Sequence, residues 1–368
     1  MKNFAYWKSQ YEANNLFNFN SDASGLLWLK IKSLTRVELL SEFISAEQMH
    51  LAKATLNQQA ESLFETLQSE DLANAHRRID SFILKKHREQ AAKYDEQKLV
   101  SELYKLRYYD WGGDYKNSLD KHLVDDFIKV YQSYDEISAK LDREIQRSVQ
   151  GYVLCSWYNH WSSILIENIF KSHPIVLPAI GQIKKVDFFV NQIPFDLKVT
   201  YLPANFIEAK RKEYGLKPEL TELKQSARKL NITFQTHKKS DDTYYEIVQK
   251  LKDRNTSESL SVLKSIADVR NRVLSEVMSN PKELIRNLYE QQGEMRFDAA
   301  NRLFLILVDK RNNDESWKLR RNLDVLKPSI QSYLDGFDRK KTNDLLVEFS
   351  YGGKSYRCLA DCIFVVKD

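Results

Sequence analysis

The sequence predicts an α/β protein: a mixed-sheet core ordered helix, three strands, helix, strand, with a helical domain ahead of it and a helical insertion within it. Three observations predict this. Between residues 24 and 150, apolar residues recur at three- and four-residue spacing, and glycine and proline are nearly absent. After Gly151 an apolar helix, stopped by Pro174, leads into three short strand-like runs. Further on, "RLFLILVDK", 302–310, is an unbroken apolar run of the kind a central buried strand shows.

The first 150 residues form the helical domain, whose plainest reading is structural. "LTRVELLSEFISAEQMHLAKATL" and "HLVDDFIKVYQSYDEISAKLDREIQRSV" carry the helical spacing, and "DWGGDY", 110–115, marks a turn. The charged stretch 70–100 has few apolar anchors in places and reads as a solvated helix or helical arm. Residues 151–368 form the core domain. "YVLCSWYNHWSSILIENIFKSH" is its first helix, and "IVLPAI", "IKKVDFFV" and "IPFDLKVT" are its first three strands. Residues 205–290 return to charged helices and form the insertion. At 344–366 the chain reads as a hairpin around Gly352-Gly353, followed by one more strand.

A chain of 368 residues can bury a large core. Its apolar content is ordinary and its charge mixed, which excludes a disordered polymer. No apolar run approaches the roughly 20 residues a membrane helix needs. "MKNFAYWKSQ" lacks the apolar core of a signal peptide. Cys155, Cys358 and Cys362 give an odd count without the second cysteine pair or nearby histidine of a zinc site, so buried, reduced thiols and a cytoplasmic location are expected. The net charge of +5 permits nucleic-acid binding without requiring it. No GxxxxGK[ST] phosphate loop is present, which argues against a translocating ATPase.

The chemistry concentrates in "VDFFVNQIPFDLKVT", 186–200. If Asn191-Gln192 is a two-residue hairpin loop, Val190 pairs with Ile193, Phe189 with Pro194, Phe188 with Phe195 and Asp187 with Asp196. The last is then a non-hydrogen-bonded pair, with Cα atoms about 4.5 Å apart. Lys198 shares the face of Asp196, while Val186, Phe188, Val190, Phe195, Leu197 and Val199 take the other. Like charges directly opposite on a sheet repel. One remedy is a bridging divalent cation; the oxygen-only donors suggest Mg²⁺ or Mn²⁺. The alternative is a solvated charged face. Acid-x-Lys also occurs from Glu96, Asp114, Glu208, Glu222 and Asp338, but only Asp196 combines an apolar strand with a facing acid.

Asp187 followed by Asp196-Leu197-Lys198 in the second strand of a hairpin resembles the PD-(D/E)XK nuclease superfamily, which includes many type II restriction endonucleases. The resemblance covers roughly residues 152–200 and 281–310. It departs at Val186, where the motif often has proline. It implies a restriction-endonuclease-like core and a metal-dependent endonuclease acting on double-stranded DNA, as a type II restriction enzyme and a homodimer. It implies metal ligation by Asp187, Asp196, the Leu197 carbonyl and Glu167 of the first helix, with Lys198 beside the attacking water. Gln291, Gln292 and Arg296 fall where the second core helix of such enzymes approaches the site; a helix cap with an exposed arginine is the competing reading. Lys210, Arg211 and Lys212 open a basic stretch, 203–240, suited to phosphate contact, with a solvated helix face as the alternative. His160, on the face of Glu167, reads as structural. Two other functions stay open: a repair or recombination nuclease of the same fold, and a non-catalytic helical module that binds nucleic acid or protein.

Overall fold

A computed structural model describes residues 2–51, 55–113, 118–181, 183–237, 240–291 and 300–368. Among these the expected α/β class is observed, built on one six-stranded mixed open sheet. Its strands are β1 (Val176–Pro178), β2 (Phe188–Val190), β3 (Ile193–Tyr201), β4 (Arg302–Asp309), β5 (Leu346–Tyr351) and β6 (Lys354–Lys367). The order is β1-β2-β3-β4-β6-β5. β2 is antiparallel to both β1 and β3, β4 is parallel to both β3 and β6, and β5 is antiparallel to β6.

The β2–β3 register is the expected one: Val190 with Ile193, Phe189 with Pro194, Phe188 with Phe195. Asn191 and Gln192 both take positive φ, +45° and +69°, as a two-residue turn of this hand requires. Pro194 falls at a position of the ladder that needs no N–H. One boundary differs. β2 covers three residues, so Asp187 lies just ahead of it. Lys185 has φ +74°, and the Asp187 N–H bonds the Phe195 carbonyl at 2.8 Å. The alternation therefore breaks at Asp187, and Val186 packs with Phe189 against the N-terminal helices instead of joining Phe188.

The C-terminus also differs. The hairpin turns at Gly352 and Gly353, both at positive φ, but no separate strand follows it. β6 is one strand with two partners in succession: Lys354–Leu359 pairs with β5, and Ala360–Lys367 pairs with β4.

Both faces of the sheet are covered. On one, the helix Gln146–Lys171 and the helix Leu323–Asp335 pack Ile166, Phe170, Leu326 and Ile330 against Phe188, Phe195, Leu303 and Leu305. On the other, helices of the insertion pack Phe206, Val273, Leu284 and Leu288 against Phe304, Ile306 and Val308. The insertion has a further core of its own around Leu223, Ile247 and Leu251. The N-terminal helices share a core with the sheet, in which Trp7, Phe19, Leu27 and Ile83 pack with Leu177, Val186 and Phe189. The helix Gln146–Lys171 runs through the boundary expected at residue 150. All three cysteines are buried, and none is in a disulfide. Among the described residues no helix is long and apolar enough to cross a membrane.

Candidate active site

The site forms where β2 stops and β3 continues. Asp196 donates its N–H to the Asn301 carbonyl, just ahead of β4, at 2.9 Å. Successive residues of a strand point their amides to opposite sides, so the N–H and C=O of Leu197 point away from β4, to the edge that β2 has left open. The Leu197 N–H donates to Asp187 Oδ2 at 2.7 Å. A carboxylate that accepts an in-plane amide lies along the strand edge. Asp187 therefore stands beside β3, whereas the sequence reading placed it squarely on the face of Asp196.

Asp196 is 8% exposed and doubly compensated. Its Oδ1 accepts from Lys198 Nζ at 2.8 Å and its Oδ2 from Arg302 Nε at 3.2 Å. Arg302 is the residue paired with Asp196 on β4, and its guanidinium lies 4.8 Å from the ring centroid of Tyr289. Lys198 is the accessible member of the group, its side chain 40% exposed. Glu167 comes from the helix on the opposite face of the sheet and is held by Lys171 at 2.7 Å.

Asp187 lacks such compensation. Burial, then the charges of Asp196 and Glu167, push its carboxyl up to about 6; the Leu197 N–H and Lys198 pull weakly the other way. The edge position explains how Asp187 feels both acids. It also explains their spread: among the described residues no three His, Cys, Asp or Glu side chains stand close enough together to hold a metal ion.

Of the expected site residues, the fold brings together Asp187, Asp196, Leu197 and Lys198, with Glu167 in electrostatic reach. Gln292 and Arg296, with Lys238 and Lys239 of the basic stretch, lie outside the described residues. Gln291 bonds Asn287 of the helix it caps and Asn205 of a neighbouring helix. Lys210 and Arg211 do not face outward as a phosphate contact requires. Lys210 bridges Glu213 and Glu283, and Arg211, with no exposed surface, is held by Glu222 and the Lys217 carbonyl. Helix packing turned them inward with Phe206 and Ile207, and only Lys212 of the three is exposed. Two residues escaped the sequence reading. Arg302 is visible only as a cation opening an apolar strand. Asn301 joins the hairpin to β6, donating to the Pro194 carbonyl at 2.9 Å and accepting from the Leu359 N–H at 2.9 Å.

Comparison with known proteins finds no matching family model, no matching curated protein and no matching solved structure.

Proposed function

We propose that the chain is a metal-dependent deoxyribonuclease with a restriction-endonuclease-like core, acting on double-stranded DNA as a type II enzyme and as a homodimer. One observation carries the reading: a half-buried, under-compensated carboxyl, Asp187, stands at the open edge of β3 beside Asp196 and Lys198. In type, being all oxygen, the donors suit a hard divalent cation. Asp187 Oδ1, the Leu197 carbonyl and Asp196 Oδ1 are the oxygens that would hold it, with Glu167 able to join once it leaves Lys171. Bound there, Mg²⁺ or Mn²⁺ would supply Lewis-acid polarisation of a phosphodiester.

The remaining roles belong to the chain. Arg302 keeps Asp196 in place through Oδ2, so Lys198 can leave Oδ1 without stranding a buried carboxylate. The freed ammonium would donate to a phosphate oxygen, where negative charge develops as the bond breaks. The Leu197 N–H orients Asp187. Asp196, Lys198 and Arg302 thus sit on paired strands, which hold them more firmly than loops would.

A second reading, a non-catalytic binding module, is favoured by the double ion pair of Asp196, which needs no metal. Incubation of the full chain with duplex DNA of mixed sequence and Mg²⁺, followed by sequencing of new ends, separates the two. Defined ends, lost in Asp196→Ala with the fold retained, are expected. Intact DNA under Mg²⁺ and Mn²⁺ alike would leave the binding module. A DNA methyltransferase encoded beside the chain would favour restriction over repair.

A further inference from the structure

Lys210 and Arg211, two of the cations first expected to meet phosphate, are buried, so a polyanionic substrate needs positive charge from elsewhere to approach three carboxylates. The segment that borders Glu167 supplies it. The helix Leu72–Ala91 packs over β1, with Phe82 and Ile83 in the core that holds Leu177. His87 is half-buried on its inner side, its pKa lowered by burial and then by the charge of Lys171. Seven residues later Tyr94 meets Trp161 edge-on, ring centroids 5.9 Å apart. Lys171 and Trp161 lie on one helix about 15 Å apart along its axis. Ile169 and Phe170 of that helix pack on Val176 of the same β1, so the segment from the β1 contact to Tyr94 runs past the stretch of that helix that carries Glu167.

Arg88 and Lys93 belong to this bordering segment. Both are exposed, and neither has an ion-pair partner among the described residues. The nearby Glu89 carboxylate is held by Lys86 at 2.7 Å, so it does not neutralise them by direct pairing. Lys171 and Lys30, by contrast, are paired inward, with Glu167 and Asp80. We propose that Arg88 and Lys93 grip the phosphate backbone of a DNA duplex alongside Glu167, with exposed Tyr94 on Trp161 closing the far end of the contact. This rests on the nuclease reading and assigns its substrate-gripping element to the N-terminal helices, not to the insertion.

The test is fluorescence anisotropy of a labelled mixed-sequence duplex bound to the full chain in Ca²⁺, titrated with salt. Each phosphate neutralised contributes about 0.9 to the log–log slope. Arg88→Ala with Lys93→Ala should flatten the slope by about 1.8 and weaken all sequences equally, since phosphate contacts carry no base information. Lys212→Ala, on the insertion, should leave the slope unchanged. The side chains are exposed and unpaired, so melting should not change; Arg88→Gln with Lys93→Gln is the second variant and should flatten the slope likewise. A slope equal to wild type in both pairs overturns the proposal while cleavage by the wild type still upholds the nuclease. A wild type that neither binds nor cleaves duplex DNA overturns both.

Discussion

At the scale of single residues, Asp187 governs how the site behaves. Its carboxyl is pushed up to about 6 in the fold, by burial first and then by Asp196 and Glu167, against roughly 3.9 in an unfolded chain. The folded state thus holds this proton more tightly than the unfolded state. The stability the proton contributes is fully present below the unfolded value and is lost as pH rises through about 6. At pH 8 the metal-free protein carries an ionised carboxylate that the fold disfavours. Asp187→Asn removes the charge and keeps an oxygen for the Leu197 N–H. In EDTA the variant should be more stable than wild type at pH 8, by on the order of 2 kcal/mol, with the gap closing toward pH 4. Thermal melts across that range check this, and a gap independent of pH would show an ordinary surface acid. Mg²⁺ should raise the melting temperature of wild type and not of the variant. Asp187, Asp196 and Lys198 were legible because the residue types alternate in a short hairpin. Arg302 was not, because its pairing with Asp196 spans more than a hundred residues of chain and no local pattern announces it.

At the scale of elements, the hairpin that carries these residues is held at its tip. Lys30, in a helix buried on nearly every side, has no exposed surface. Its ammonium donates to Gln192 Oε1 at 2.8 Å and lies 2.9 Å from His76 Nδ1, with Asp80 as its counter-ion at 2.7 Å. Gln192 sits at φ +69°, a conformation a non-glycine residue holds only when something secures it. Gln192→Leu should cost about 1–3 kcal/mol, the penalty of leaving a buried donor short of an acceptor. Lys30→Met should cost about 3–5 kcal/mol, because it strands Asp80. Urea unfolding measures both, and a cost near zero for Lys30→Met would mean that the pair is not sealed from water. The turn itself was readable from Asn191-Gln192 between apolar runs. Its anchor was not, since a lysine in an apolar helix gives no sign of which partner lies across the fold. The early end of β2 was hidden for a similar reason: "IKKVDFFV" alternates well enough for a longer strand, and only the turn at Lys185 cuts it short. Lys210 and Arg211 show the opposite failure. A run of cations looks solvated until the packing of their helix turns two of them inward.

At the scale of the whole molecule, the sequence divides more sharply than the fold does. The change of texture at Gly151 separates helical from mixed sequence, yet the cores on either side are continuous. Leu177, Ile183, Val186 and Phe189 are each less than a tenth exposed, and they are covered by the N-terminal helices. Removing residues 1–145 would uncover all four, at about 1.5–3 kcal/mol each. The sum, roughly 6–12 kcal/mol, is comparable to the entire stability of an ordinary domain, about 5–15 kcal/mol. It would also strip Lys30 from the hairpin turn and take away the segment that borders Glu167. A fragment of residues 146–368 should therefore fail to give a cooperative melt and should expose apolar surface to a dye such as ANS. The insertion stands differently, because Leu223, Ile247, Val248, Leu251 and Ile266 form a small core that does not need the sheet's own residues. Hydrogen exchange on the full chain should then show amides of 219–229 and 240–254 opening at lower free energy than those of β3 and β4, which lie in the middle of the sheet. If the 146–368 fragment instead melts cooperatively near the temperature of the full chain, the N-terminal helices are an attachment. In that case they do not support the strands that carry Asp187 and Asp196.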